Sequence, residues 1–379
     1  MIIVNGILFC EDGIFRKMDI ETRNGIITSI GKGLEDATQT VFNAGGCYVV
    51  PGLVDIHVHG AAGADFCDDD PYSIERVARF LLNHGVTSFL ATSMSLPEER
   101  LANIYKTIRP FVGQSVPGQA VLQGINMEGP FISVEKRGAQ NEKYITSPDF
   151  DMFLRLHEAS GDNIRTVAVA PEVKGGLDFI GKAHSLCNVS LAHSCADYST
   201  ASAAFTVGAN HVTHIFNGMT PLGHRAPGII GAAADSGVYV ELICDGLHVH
   251  QSVVRAIFKL FGDDKVCLIS DAMRACGMPD GRYDLGDQLT TIAGGSATLE
   301  DGTLAGSVTA LIDCLRRAVA FGVPLESALK AATINPAKSM GLNDRIGCLS
   351  RGRRADMLVL GKDLMLENIF FGGTLHVRW

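Results

Sequence analysis

The side chains of this sequence best placed to do chemistry are histidines and carboxylates that each close a short apolar run. In Val54-Asp55-Ile56-His57-Val58-His59-Gly60 the run ends in His-x-His. Side chains of a strand alternate faces, so residues two apart point the same way, and His57 and His59 could grip one metal ion together. Glu128, His193, His214 and Asp271 stand at or just beyond the ends of other apolar runs. Imidazoles with carboxylates suit Zn²⁺ or Fe²⁺, and a site with an unfilled position can hold a water whose pKa is lowered toward neutrality. Glu128, His193 and His214 would make one such open site. His57 and His59 offer a second position, and with Glu128 bridging, two ions would lie roughly 3.5–4 Å apart. Asp271 has no ligand role in that count, which leaves it free to take a proton from water and pass it to a leaving group. That chemistry is hydrolysis. Each residue alone has a plain reading, as a packed histidine, a helix cap or a turn residue, so the hydrolytic reading depends on their converging.

Convergence requires a scaffold that brings strand ends together. Strand-like runs fall at 54–57, 86–91, 121–127, 164–169, 189–192, 211–213, 238–244 and 266–269, and segments of helical period such as 73–83, 97–112 and 251–261 lie between them. Strands alternating with helices imply parallel pairing. Eight such units fit an α/β fold, a closed (β/α)8 TIM barrel, whose active site is built at the C-terminal rim of the strands. An open doubly wound sheet is the competing arrangement, weakened by the lack of a Gly-x-Gly-x-x-Gly after the first strand. Ahead of the barrel, Asn5-Gly6, Asp12-Gly13, Asn24-Gly25 and Gly45-Gly46 break short apolar runs as hairpin turns do. The region 273–306 reads as a hairpin insertion after the eighth strand, with helices over 307–321 and 325–340 completing the barrel. A strand-rich tail begins at 355–360. The expected organisation is a barrel over 51–342 and a small β-sandwich domain formed from both chain termini, 1–50 and 343–379.

Composition narrows the class of function. With 379 residues, 46% of them hydrophobic and 19% charged, the chain can bury a large core and should not be disordered. Its formal charge of -9 argues against a nucleic-acid or anionic membrane partner, so an anionic substrate would need local basic groups. The N-terminus shows no signal-peptide pattern and no apolar stretch is long enough to span a bilayer, which points to a soluble, intracellular protein. Ten cysteines without a Cys-x-x-Cys pair read as reduced thiols. Cys195, near a candidate ligand, reads as a packed thiol before a nucleophile. His84, His157, His184 and His211 fall inside element bodies and read as packing or surface residues.

Several longer segments carry a family resemblance. Pro51-Gly52-Leu53 leading into the His-x-His run, Met127-Glu128-Gly129-Pro130-Phe131, Lys136-Arg137-Gly138-Ala139, Ala192-His193, Thr213-His214-Ile215-Phe216-Asn217-Gly218-Met219, Asp245-Gly246-Leu247-His248, Ser270-Asp271-Ala272 and Leu304-Ala305-Gly306-Ser307 occur in this order. The chain resembles, essentially end to end, the N-acetylglucosamine-6-phosphate deacetylases of the amidohydrolase superfamily. His-x-His alone belongs to the whole superfamily; Glu-Gly-Pro-Phe with Thr-His-x-x-Asn and Asp-Gly-x-His is far more specific. The resemblance implies deacetylation of an N-acetyl amino sugar phosphate in amino sugar catabolism, by a cytoplasmic homodimer using one or two Zn or Fe ions per subunit. It implies Glu128, His193 and His214 as metal ligands and Asp271 as catalytic acid and base. It also implies Ala139, Asn217, Gly218, Arg225, His248 and the stretch Leu304, Ala305 and Gly306 as substrate-binding positions. Arg225 could grip a phosphate bidentately, with the amides of Asn217 and Gly218 as further donors.

Two departures from the family pattern matter. Some members lack the His-x-His pair and work with one metal, whereas this chain keeps His57 and His59. Many relatives have His where Gln140 stands; a Gln amide can donate a hydrogen bond to the acetyl carbonyl but has no cationic form. Three rival readings stay open: the same reaction on N-acetylgalactosamine 6-phosphate, a different amidohydrolase reaction on a cyclic amide or base, and a noncatalytic scaffold. Arg225 or His248 could also serve a neighbouring subunit.

Overall fold

The computed structural model describes residues 1–377. Its central sheet has eight parallel strands in chain order: Leu53–Val58, Val86–Ser93, Val121–Met127, Ile164–Val169, Asn188–Leu191, His211–Val212, Tyr239–Ile243 and Val266–Ile269. The seam between the last strand and the first is bridged by backbone bonds. The Asp271 amide donates to the His57 carbonyl at 3.0 Å, and the amides of His59 and Gly60 both donate to the Ala272 carbonyl, at 2.8 and 3.0 Å. Asp55, wholly buried, accepts from the amide of Ser270 across the same seam at 3.3 Å. The sheet therefore closes into a (β/α)8 barrel, and the open doubly wound alternative falls away.

Helices shield the outside of the barrel. Pro71–Asn83 starts where Asp70 accepts from the amide of Tyr72 and proline occupies the first turn; it buries Ile74, Val77, Ala78, Leu81 and Leu82, three or four residues apart. Truncating a buried residue such as Leu82 to Ala would cost about 2–5 kcal/mol. The helical pattern over 97–112 ends earlier, at Ile108, because Pro110 lacks an N–H and a 3₁₀ turn takes over. Likewise 325–340 divides at Thr333 into Leu325–Ala332 and Ile334–Ser339. Pro336 has no N–H for the Ala332 carbonyl, and its ring would crowd that carbonyl.

Both chain ends build one further eight-stranded sheet. Ile2–Phe9, Phe15–Arg23, Ile26–Gly31, Val41–Asn43 and Tyr48–Pro51 join Met357–Leu360, Leu366–Phe371 and Thr374–His376, with Tyr48–Pro51 antiparallel to Met357–Leu360 at the junction. The sheet curls round a core that includes Ile3, Leu8, Ile20, Val49, Met357 and Phe370. Asn24 and Gly25 both have positive φ, 51° and 79°, and make the two-residue hairpin that the sequence announces. Asn5-Gly6 does not turn the chain. It is a bulge within Ile2–Phe9, where Asn5 has φ 57° and the register shifts against the neighbouring strand. The insertion after the eighth strand is a three-stranded antiparallel sheet, Gly281–Leu285, Gln288–Ala293 and Ser296–Thr298. No helix among the described residues is long and apolar enough to cross a membrane.

Candidate active site

At the C-terminal ends of the barrel strands the expected histidines and carboxylates meet. Donor atoms of His57, His59 and Glu128 lie within 4.8 Å of one another, as do those of Glu128, His193 and His214. Glu128 is the shared member. Its Oε1 lies 3.2 Å from His193 Nε2, 3.0 Å from His214 Nε2 and 3.5 Å from His57 Nε2, while Oε2 lies 3.4 Å from His59 Nε2. Asp271 completes the ring, with Oδ1 3.4 Å from His57 Nε2 and 3.3 Å from His59 Nε2. His193, His214 and Asp271 all have positive φ, of 45°, 27° and 48°. Left-handed backbone is costly for such residues and persists only where neighbours enforce it. Here Ser133 donates to the His193 carbonyl at 2.9 Å, and Ser307 to the Asp271 carbonyl at 2.7 Å.

The orientation of the imidazoles fits a divalent cation. His193 Nδ1 lies 2.9 Å from the Lys136 carbonyl, which can only accept, so Nδ1 carries the proton and Nε2 turns a lone pair inward. His57 Nδ1 faces the Glu241 carboxylate at 2.9 Å with the same consequence. Inside, His193 Nε2 comes 3.2 Å from His214 Nε2, and His57 Nε2 3.3 Å from His59 Nε2. Nitrogen lone pairs and carboxylate oxygens facing one another at such distances are a donor set that a cation satisfies. Burial works against charge on Glu128, but His57, His193 and His214 outweigh it and hold the carboxyl well below its usual range. Burial likewise opposes ionisation of Asp271, and His57 and His59 hold it below the usual value. In return the two carboxylates overcome burial and raise His59 to about 9.

A cavity of about 240 Å³ opens over this cluster, lined by His59, Glu128, His193, His214 and Asp271. Ala139, Gln140, Asn217, Gly218, His248, Leu304 and Gly306 line it too, as the family resemblance implies; Ala305 is buried beside them. Gly218 has φ 59°, and a Cβ there would come 2.9 Å from His193 Nδ1, so only glycine lets this turn approach the ring. The Asn217 amide is already bonded to the His214 carbonyl at 2.9 Å and is not an open donor. His248 Nδ1 pairs with Asp245 Oδ2 at 2.7 Å; burial would lower this imidazole, but Asp245 raises it above its ordinary value.

Arg225 is not brought to the cavity of its own chain. The Gly223 amide closes the loop onto the Ala226 carbonyl at 3.1 Å, leaving Arg225 exposed with Nη1 against His224 Nε2 at 2.8 Å. None of the described lining residues is a lysine or arginine. Gln140 lines the cavity, yet its amide is committed: Nε2 donates to Glu128 Oε2 at 2.7 Å and Oε1 accepts from the Ser95 amide at 2.7 Å. Cys195 is absent from the lining, and burial raises its thiol, in keeping with a packed residue. A larger cavity of about 530 Å³ lies between the curled sheet and the opposite end of the barrel, bordered by Ile26, Val121, Arg345 and Phe371. It contains none of the clustered metal-ligating groups.

Residues 48–375 match the amidohydrolase family. The chain belongs to that family. Among its relatives, the N-acetylglucosamine-6-phosphate deacetylase of Bacillus subtilis (strain 168) is 36% identical over 322 residues, covering 83% of this chain and 81% of that protein. The N-acetylgalactosamine-6-phosphate deacetylase of Escherichia coli O157:H7 is 33% identical over 97% of both chains. Among solved structures, a mutant N-acetyl-D-glucosamine-6-phosphate deacetylase of Mycobacterium smegmatis, in complex with N-acetyl-D-glucosamine-6-phosphate, superposes with a TM-score of 0.92. It shares 31% identity, over 99% of this chain and 98% of that one. This amidohydrolase also contains two orienting carboxylates: Asp245, part of the Asp-Gly-x-His motif, stands behind His248, and Glu241, which no motif includes, stands behind His57. A charged residue inside the apolar run 238–244 was the available signal for Glu241, since a carboxylate buried in a parallel strand needs a partner.

Proposed function

We propose that the protein hydrolyses the acetamide of N-acetylglucosamine 6-phosphate, giving acetate and glucosamine 6-phosphate, as a cytoplasmic enzyme of amino sugar catabolism. The observation that carries this reading is the meeting of Asp271 with the Glu128 and histidine cluster in one cavity of sugar size, in a chain whose relatives are deacetylases of amino sugar phosphates. Glu128, His193 and His214 would hold one Zn or Fe ion, and His57 and His59 a second that shares Glu128. An ion there lowers the pKa of water and polarises the acetyl carbonyl. Asp271, whose Oδ1 lies 3.4 Å from His57 and 3.3 Å from His59, accepts the proton of the attacking water and delivers it to the departing amine. Asp245, bonded to Nδ1 of His248, favours the imidazolium form, whose Nε2–H can donate to the developing oxyanion.

The phosphate needs a cation that the cavity of one chain does not supply. Arg225, exposed on its loop, suits that task in a homodimer, reaching the partner's cavity. The E. coli relative supports a second reading, the galactosamine epimer, because a single hydroxyl is read by few contacts. Acetate release from both sugar phosphates, after loading apo protein with Zn²⁺ or Fe²⁺, tests the proposal. Release from one or both epimers is expected; metal-loaded protein that releases acetate from neither would overturn it.

A further inference from the structure

Glu241 lies on the seventh barrel strand between Val240 and Leu242, at 1% exposure. A carboxylate so placed costs several kcal/mol unless it is paired. Its Oε2 faces His57 Nδ1 at 2.9 Å and accepts the backbone amide of His214 at 3.4 Å. It does not line the cavity, so it is not placed to touch substrate.

The geometry points to Glu241 as the positioning residue that makes the His57 and His59 side of the cluster able to hold a metal ion. This inference rests on the metal-dependent reading above and names the residue on which the second ion depends. By accepting from Nδ1–H, Glu241 fixes both the tautomer and the tilt of His57, so that the Nε2 lone pair faces His59, Glu128 and Asp271. Among the described residues no other group does this for the pair, because His59 Nδ1 has no hydrogen-bond partner there. The opposite side has its own anchor, His193 Nδ1 on the Lys136 carbonyl at 2.9 Å, and Glu241 touches it only through the long 3.4 Å bond from the His214 backbone amide. Loss of Glu241 should therefore weaken one ion and spare the other.

The test uses full-length Glu241→Leu and Glu241→Gln chains, stripped and titrated with Zn²⁺ or Co²⁺. Metal per chain is counted by mass spectrometry, coordination is followed in the Co²⁺ visible spectrum, and folding is checked by thermal melting. Wild type should take two ions. Glu241→Leu should keep one, with the second bound about 10–100-fold more weakly. Glu241→Gln, which retains an acceptor without the charge, should fall between them. Three results overturn the proposal: wild type that binds a single ion, a folded Leu variant whose second ion binds as tightly as in wild type, or a folded Leu variant that loses both ions; should the Leu chain fail to melt cooperatively, a Gln variant that loses both ions overturns it in the same way. Wild type that holds two ions yet releases no acetate would instead sink the deacetylase reading and leave this inference standing.

Discussion

Gln140 holds Glu128. With its oxygen taken by the Ser95 amide at 2.7 Å, the Gln140 amide nitrogen donates to Glu128 Oε2 at 2.7 Å and faces Met94 Sδ at 3.7 Å. From sequence, Gln140 or His248 could aid a metal at the acetyl carbonyl. The structure spends Gln140 on the orientation of the shared ligand, which leaves His248 as the side chain best placed for the substrate oxygen. Replacing Gln140 by Ala strands the Ser95 N–H and frees the carboxylate to rotate. The expected result is a loss of about 10–100-fold in metal affinity or kcat, read by metal titration beside initial rates. Gln140→Glu, which sets a second negative charge against Glu128, should do more harm. Wild-type affinity and rate in both variants would remove Gln140 from this role.

Asp271 stands outside the two groups that could hold a metal, His57, His59, Glu128 and Glu128, His193, His214, although its Oδ1 lies 3.4 Å from His57 Nε2 and 3.3 Å from His59 Nε2. A group that only moves protons can be replaced without emptying the site. Asp271→Asn should cut kcat by about 10²–10⁴-fold, the usual worth of a general acid and base, with metal content near wild type. Paired assays of turnover and bound metal decide, and substantial turnover by the Asn variant would end the assignment.

Much of this arrangement was legible because strands deliver their last residues to one rim. His57, Glu128, His193, His214 and Asp271 each end an apolar run, and run ends can be read without coordinates. The barrel was legible for the same reason, since each buried parallel strand is a continuous apolar run. What stayed hidden depends on pairing between distant segments. Nothing near Gln140 announces Ser95, and nothing near His57 announces Glu241, 184 residues away. Arg225 was legible in its chemistry but not in its direction. Its side chain has the right chemistry for phosphate, but the loop bond from Gly223 to Ala226 decides which way it projects, and no periodicity records that.

His211 should make the fold acid-sensitive. It is buried with neither ring nitrogen hydrogen-bonded among the described residues, stacks on Tyr239 with ring centroids 5.3 Å apart, and burial lowers its pKa from 6.5 to about 4. The unfolded chain takes up a proton near pH 6.5 that the folded interior refuses until about pH 4. Its contribution is complete above pH 6.5 and is lost as pH falls through that window, at a cost of about 3 kcal/mol. His211→Phe keeps a ring against Tyr239 and removes the titration. Urea midpoints at pH 7 and pH 5 should differ less in the variant than in wild type; an equal acid-induced drop in both would refute the point.

Arg225 should matter to a cavity other than its own. A bidentate guanidinium on phosphate contributes about 1.5–3 kcal/mol, so Arg225→Ala should raise KM for the phosphorylated sugar about 10–100-fold and barely change the reaction of the unphosphorylated one. Equal effects on both sugars would dissociate Arg225 from the phosphate. Mixing separates the two possible geometries. If Arg225 reaches across a dimer, co-refolded Arg225→Ala and Asp271→Asn chains form hybrids in which one cavity carries both defects and the other carries neither, and activity at low substrate recovers. If Arg225 swings back to its own chain, every cavity in the mixture keeps one defect, and no recovery is seen.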